Sequence, residues 1–143
     1  MKVFLDTNVL LDWLLDRQDA FADEATSLIE AAESGTIEAF ISSGSVYTLA
    51  YVLEKSGLKG ARLRTTMQQI FRVLHIVETN NAPYQKACLG NMKDLEDAFQ
   101  YEVALHRKDL SYFVTGNLKD FAVQNTDLLP VVTPIQMIKF IPD

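Results

Sequence analysis

Three groups of acidic and amide side chains in this sequence have the types and spacing to hold a hard cation. Asp6 directly follows the apolar run Val3-Phe4-Leu5. Asp94 and Asp97 open a stretch with helical periodicity, and a spacing of three sets them at neighbouring positions on one helix face. Asn117 and Asp120 follow a second apolar run, within Thr115-Gly116-Asn117-Leu118-Lys119-Asp120-Phe121. A cluster of carboxylates repels itself and resists ionising together, and a divalent cation among them reverses that balance. Oxygen donors alone, with no Cys or His in the set, point to Mg²⁺ or Mn²⁺ rather than Zn²⁺. Such an ion can activate water and stabilise charge on a phosphodiester. Each group also has a plainer use. Asp94 suits a helix cap, and Asn117 and Asp120 suit a turn. Asp6 is the sharpest signal, because an unpaired carboxylate at the end of a buried strand is costly.

The elements that must position these groups alternate along the chain. Strand patterns fall at residues 3–5, 37–41, 75–77, 111–114 and 130–132. Between them, apolar residues recur at helical spacing. The first such set is Val9, Leu10, Trp13 and Leu14. The second, with Asp19 as its cap, is Phe21, Ala25, Leu28, Ile29 and Ala32, ending at Gly35. Ser42 or Ser43 caps a helix running to Gly57. Further helices are expected at 61–74, 84–89 and 94–106, and Thr133-Pro134 opens the last one. This order predicts an α/β protein, with a central parallel sheet of about five strands between two helical layers. In such sheets ligands sit beyond the carboxyl ends of the strands, where Asp6 and residues 115–120 fall. Adjacency of the first and fourth strands would bring the three acidic groups to one edge.

Composition narrows the function. The 143 residues suit one domain, 1–143, and 48% apolar content provides a core. A net charge of −6 argues against whole-surface attraction to nucleic acid. The charge is nevertheless segregated. Residues 1–40 hold nine acids and two bases, while residues 55–77 carry +5 and no acid. For any single residue a solvated helix face is the plainer use of that segment; as a group it could form a basic rim for nucleic-acid phosphates, with Arg62 and Arg64 its first candidates. A single cysteine, Cys88, excludes an intramolecular disulfide and a Cys-rich zinc site; it is expected to be a buried small apolar residue. His75 and His106 lack partners at metal or triad spacing. Trp13, Tyr47 and Tyr51 fit a core or a dimer surface better than a base-stacking platform. There is no phosphate-cradling glycine loop and no nucleophile elbow. A phosphatase of the haloacid-dehalogenase type would want a second Asp where Asn8 stands. No run of about 20 apolar residues exists, so no membrane span is expected. The N-terminal apolar stretch is broken by Asp6 and Asp12 and lacks a cleavage site, so a cytoplasmic protein is expected.

The segments Phe4-Leu5-Asp6-Thr7-Asn8-Val9-Leu10-Leu11-Asp12, Asp94-Leu95-Glu96-Asp97-Ala98 and Val114-Thr115-Gly116-Asn117-Leu118-Lys119-Asp120-Phe121, with the closing Pro130-Val131-Val132-Thr133-Pro134, resemble the PIN-domain family. The resemblance runs through essentially the whole chain, in order. It implies a three-layer α/β/α sandwich and a Mg²⁺- or Mn²⁺-dependent ribonuclease of the kind found as VapC-like toxins of bacterial toxin–antitoxin pairs. On that resemblance Asp6, Asp94, Asp97 and Asp120 are the catalytic, metal-holding acids. Asn8, Ser43 and Asn117 lie near the substrate, and the charge segregation, not the resemblance, adds Arg62 and Arg64 as candidates for its phosphates. The implied partners are an RNA substrate and an antitoxin, and a homodimer is expected from exposed apolar residues. One departure stands out: Thr48 occupies a position where the family usually has a Glu, and Glu54 lies six residues further on, facing another direction. That departure supports an alternative, a catalytically weakened PIN-like domain that binds RNA or protein.

Overall fold

The computed structural model describes residues 1–17, 21–121 and 128–143. The elements in chain order are β1 (Lys2–Leu5), α1 (Thr7–Leu15), α2 (Ala22–Glu33), β2 (Glu38–Ile41), α3 (Ser43–Lys55), α4 (Gly60–Val73), β3 (Leu74–Ile76), α5 (Asn81–Leu89), α6 (Leu95–His106), β4 (Tyr112–Val114), a short 3-10 helix (Leu118–Phe121), β5 (Val131–Val132) and α7 (Pro134–Phe140). The expected helix cap Asp19 lies outside the described residues.

The sheet has the order β3-β2-β1-β4-β5, and every pairing in it is parallel. Strand β1 is central, with Val3 opposite Ala39 of β2 on one side and opposite Tyr112 of β4 on the other. Adjacency of β1 and β4 is what the site needs, because both strands release their chains at the same edge.

Period-2 alternation divides the strand side chains between two cores. Val3, Leu5, Ala39, Ile41 and Val114 face a layer that includes Leu10 of α1, Leu28 of α2, Leu49 of α3, Ile70 of α4 and Met137 of α7. Phe4, Phe40 and Phe113 face the opposite layer, with Tyr101 and Ala104 of α6 and with Phe121. Because both faces are covered, the inner strands read as continuous apolar runs. Phe113 anchors the second core: it stacks on Phe4 at 5.2 Å between ring centres, meets Tyr101 edge-on at 5.3 Å and touches Phe121 at 4.9 Å. The Tyr101 hydroxyl donates to the Leu129 carbonyl at 2.8 Å, which satisfies its buried polar end.

Local chemistry sets the element ends. Ser42, not Ser43, caps α3, accepting from the Ser45 amide at 3.2 Å. Thr133 and Gln136 form a reciprocal capping box at the start of α7, with Pro134 in its first turn. Gly35 ends α2 at φ +78°, a conformation open to glycine at no steric cost. Cys88 is a correction, since it is exposed rather than buried. Helix α5 buries Pro83 and Ala87, one turn apart, and the next residue swings about 100° away toward solvent. Trp13 packs partly against the core, but Tyr47 and Tyr51 are 79% and 62% exposed and belong to no core. Among the described residues no helix is long and apolar enough to cross a membrane.

Candidate metal centre

Asp6 is the first residue past β1. Its amide continues the parallel ladder by donating to the Val114 carbonyl at 2.9 Å, and its carboxylate sits at the start of α1, 1% exposed. Thr115 occupies the equivalent place after β4 and is fully buried. Its amide donates to the Val132 carbonyl at 3.0 Å and its hydroxyl donates to Asp6 Oδ2 at 2.8 Å. The same hydroxyl accepts from the Asn117 amide at 3.0 Å, and the Asp120 amide donates to the Asn117 carbonyl at 3.0 Å. One threonine thus orients Asp6 and folds the turn that carries Asp120. Gly116 has its own reason to be there: a Cβ would meet the Phe21 ring at 3.2 Å.

Asp97 enters from α6. The Asp94 side chain caps that helix, with Oδ1 accepting from the Asp97 amide at 3.1 Å. Asp97 is 1% exposed, and its Oδ2 is buried without a hydrogen-bond partner. Gln100, three residues on, is 4% exposed and also leaves Oε1 without a partner, while its Nε2 donates to Thr7 Oγ1 at 3.2 Å. Thr7 Oγ1 in turn lies 2.6 Å from Ser45 Oγ, so the site is bound to α1 and α3 by hydroxyls. One carboxylate oxygen from each of Asp94, Glu96 and Asp97 lies within 4.8 Å of the others.

The electrostatics express this crowding. Burial raises the Asp97 carboxyl to about 7, with further repulsion from Asp6, then Asp94, Glu96 and Asp120. Burial also lifts Asp6 to about 6. The Thr115 hydroxyl opposes this shift, and Glu96 and Asp94 add to it. Glu96 is held above its ordinary value by partial burial and by Asp94, against the stabilising amide of Gln100. None of the ion pairs among the described residues reaches these acids. An orphaned buried carboxylate oxygen amid other carboxylates, with oxygen donors only, fits Mg²⁺ or Mn²⁺. Asp94, Glu96 and Asp97 bring carboxylate oxygens close enough to share such an ion, and Asp6 and Asp120 are near enough for their charges to act on Asp97.

Other residues singled out in the sequence stand further off. Asn8 is half-buried in the first turn of α1, and Asn117 is exposed beside Asp120. Ser43 is exposed, and the hydroxyls facing inward from that turn are those of Ser42 and Ser45. Arg62 and Arg64 are exposed on α4, and no hydrogen bond among the described residues joins them to the acids. Thr48 bonds back to the Gly44 carbonyl at 3.4 Å. Sequence reasoning missed Thr7, Ser45, Glu96, Gln100 and Thr115. Glu96 had a visible signal as a third acid in Asp94-Leu95-Glu96-Asp97, Thr115 follows β4 directly, and Thr7 is the residue after Asp6. Gln100 had none beyond its spacing of three from Asp97.

Thr115→Val tests the frame around Asp6. It keeps the side-chain volume but removes the donor to Asp6 and the acceptor for Asn117. A loss of about 1–3 kcal/mol is expected, read as a lower urea midpoint. An unchanged midpoint would mean that Thr115 does not hold the site.

The comparisons with known proteins agree with this architecture. No curated protein sequence gives a significant match. Among solved structures, VapBC2 from Rickettsia felis bound to a promoter DNA fragment is similar, with TM-score 0.64, 18% identity, and coverage of 93% of this chain and 98% of that one. A toxin–antitoxin complex from Klebsiella pneumoniae has TM-score 0.62 and 26% identity, covering 92% and 97%. FitAB bound to a DNA fragment has TM-score 0.59 and 16% identity, covering 92% and 94%. The sequence model of the PIN domain matches residues 2–119. That span runs from β1 through Asp6, Asp94, Asp97 and Asn117, and by this match the chain belongs to the PIN domain family.

Proposed function

We propose that the protein is a Mg²⁺- or Mn²⁺-dependent endoribonuclease and the toxin of a toxin–antitoxin pair. The observation that carries this reading is the buried, unpartnered Oδ2 of Asp97 within a cluster of carboxylates that no ion pair among the described residues reaches. Asp6, Asp94, Asp97 and Asp120 are the proposed ligands. A divalent cation bound there would acidify a water molecule and offset charge developing on a phosphodiester. The chain's own residues prepare the site. Thr115 fixes Asp6, the Asp94 cap fixes the start of α6 and with it Asp97, and the 3-10 turn presents Asp120. Asn8, Ser43 and Asn117 are proposed to line the approach of the RNA, with Arg62 and Arg64 meeting its phosphates.

The likeness to the Klebsiella pneumoniae toxin–antitoxin complex supports the toxin role and an antitoxin partner. A second copy of this chain is the other proposed partner, in the cytoplasm. Tyr47 and Tyr51, one turn apart on α3, supply exposed aromatic surface of the kind protein partners cover. Thr48 favours the second reading, a domain that binds RNA without cutting it, because it brings no carboxylate to the site.

A labelled single-stranded RNA of mixed sequence separates the two. Cleavage is expected with millimolar Mn²⁺ or Mg²⁺, none with EDTA, and none for Asp6→Asn. Intact RNA under all conditions, with RNA retained by the protein, would establish the binding module instead.

A further inference from the structure

Helix α3 reaches the site through a hydroxyl: Ser45 is fully buried against Thr7, and no carboxylate of α3 is joined to the acids among the described residues. The negative charge on that side comes from α6. Gln100 crosses to Thr7, and Thr7 to Ser45, in a chain of side-chain hydrogen bonds of 3.2 and 2.6 Å. The Gln100 row of α6 therefore faces the Ser45 row of α3 across the start of α1. Glu96 lies one turn before Gln100 on that row and next to Asp97. It is exposed at the rim, and one of its oxygens is within 4.8 Å of ligand oxygens of both Asp94 and Asp97. Two buried acceptors beside it, Asp97 Oδ2 and Gln100 Oε1, have no partner. Acceptors do not satisfy one another, so these oxygens call for a cation or a donor between them.

We infer that Glu96 is a direct cation ligand, the carboxylate that α3 does not supply. This rests on the reading of the cluster as a cation centre. Glu96 is the accessible member of the set: a hydrated ion meets it at the rim before reaching the buried Asp97. Loss of one oxygen ligand lowers affinity through both charge count and coordination.

Calorimetric titration of the full chain with MnCl₂ at pH 7.5 tests the assignment, in low salt and in about 0.5 M KCl, where the field of exposed charges is screened within a few ångströms. The wild type should bind saturably. Glu96→Gln should weaken binding about tenfold at both salt concentrations, in the range seen for groups that support a metal. Glu54→Gln, an exposed acid further along α3, should leave affinity unchanged. An unchanged affinity for Glu96→Gln, or an effect that vanishes at high salt, overturns ligation by Glu96. If Asp97→Asn still abolishes binding in that case, the cation centre itself stands. A wild type that takes up no Mn²⁺ overturns both.

Discussion

Asp97→Asn should sharply reduce metal-dependent RNA cleavage and, in the same protein, raise the melting temperature measured in EDTA. The two effects have one cause. Asp97 is 1% exposed and repelled by Asp6, Asp94, Glu96 and Asp120, so its carboxyl is held at about 7 against an ordinary 3.8. At pH 8 the metal-free folded protein must ionise it against those neighbours. A shift of that size corresponds to a cost on the order of 2–4 kcal/mol. The asparagine amide keeps the shape, removes the charge and offers a donor toward the surrounding carboxylates. Several degrees of added thermal stability are expected for a chain of this length, by differential scanning fluorimetry. Cleavage should fall roughly 10²- to 10³-fold, the scale for losing one electrostatic group in an active site. A variant that cuts RNA as well as the wild type, or that melts lower in EDTA at pH 8, would separate Asp97 from the proposed chemistry.

The pH dependence of stability should run opposite to that of most folded proteins. Asp6 and Asp97 have folded values of about 6 and about 7, above their ordinary 3.8. The folded state therefore binds protons more tightly than the unfolded chain. Their contribution is fully present below about pH 4 and is lost as pH rises through 6 and 7, at up to about 1.4 kcal/mol per pH unit for each group. Asp109 acts in the other direction. Its hydrogen bonds to Lys2 and Arg107 hold it at about 2, so its contribution is present above about pH 4 and is lost as the pH falls toward 2. Metal-free melting temperature should peak between pH 4 and 5 and decline toward pH 8. Millimolar Mn²⁺ should reverse the decline, since binding to the folded state alone adds about 2.7 kcal/mol at a hundredfold excess over Kd. A melting temperature that is flat or rising from pH 4.5 to 8 in EDTA would contradict the crowded carboxylates.

Much of the frame is legible in the sequence because burial on both faces leaves a plain mark. Val3-Phe4-Leu5 and Tyr112-Phe113-Val114 are unbroken apolar runs, and in the structure their alternate residues feed two separate cores. Asp6 is legible for the same reason: a carboxylate at the end of such a run stands out. Parallel pairing of β1 with β4 brings Asp6 and the turn that carries Asp120 to one edge; the alternation of strands and helices makes a parallel sheet expected, but which strands are neighbours is read from the structure.

The supporting polar shell is less legible. Gln100 is an ordinary helix residue until its amide is seen to reach Thr7 across 93 positions of sequence. Ser43 and Ser45 cannot be told apart by type, and their roles are set by which one caps and which one turns inward. Asp94 reads first as a cap, and one oxygen does cap the helix while the carboxylate stays within reach of Glu96 and Asp97. Arg62 and Arg64 illustrate a further gap: charge segregation along the chain says that a basic surface exists, not where it points.

The central claim is that these carboxylates form a cation centre. Anomalous scattering at the manganese edge, from crystals of the protein soaked in MnCl₂ at pH 7.5, tests it most directly. A peak about 2.1 Å from carboxylate oxygens of Asp6 and Asp97 is the expected result. Density there without an anomalous peak, or manganese bound only elsewhere on the protein, would contradict it.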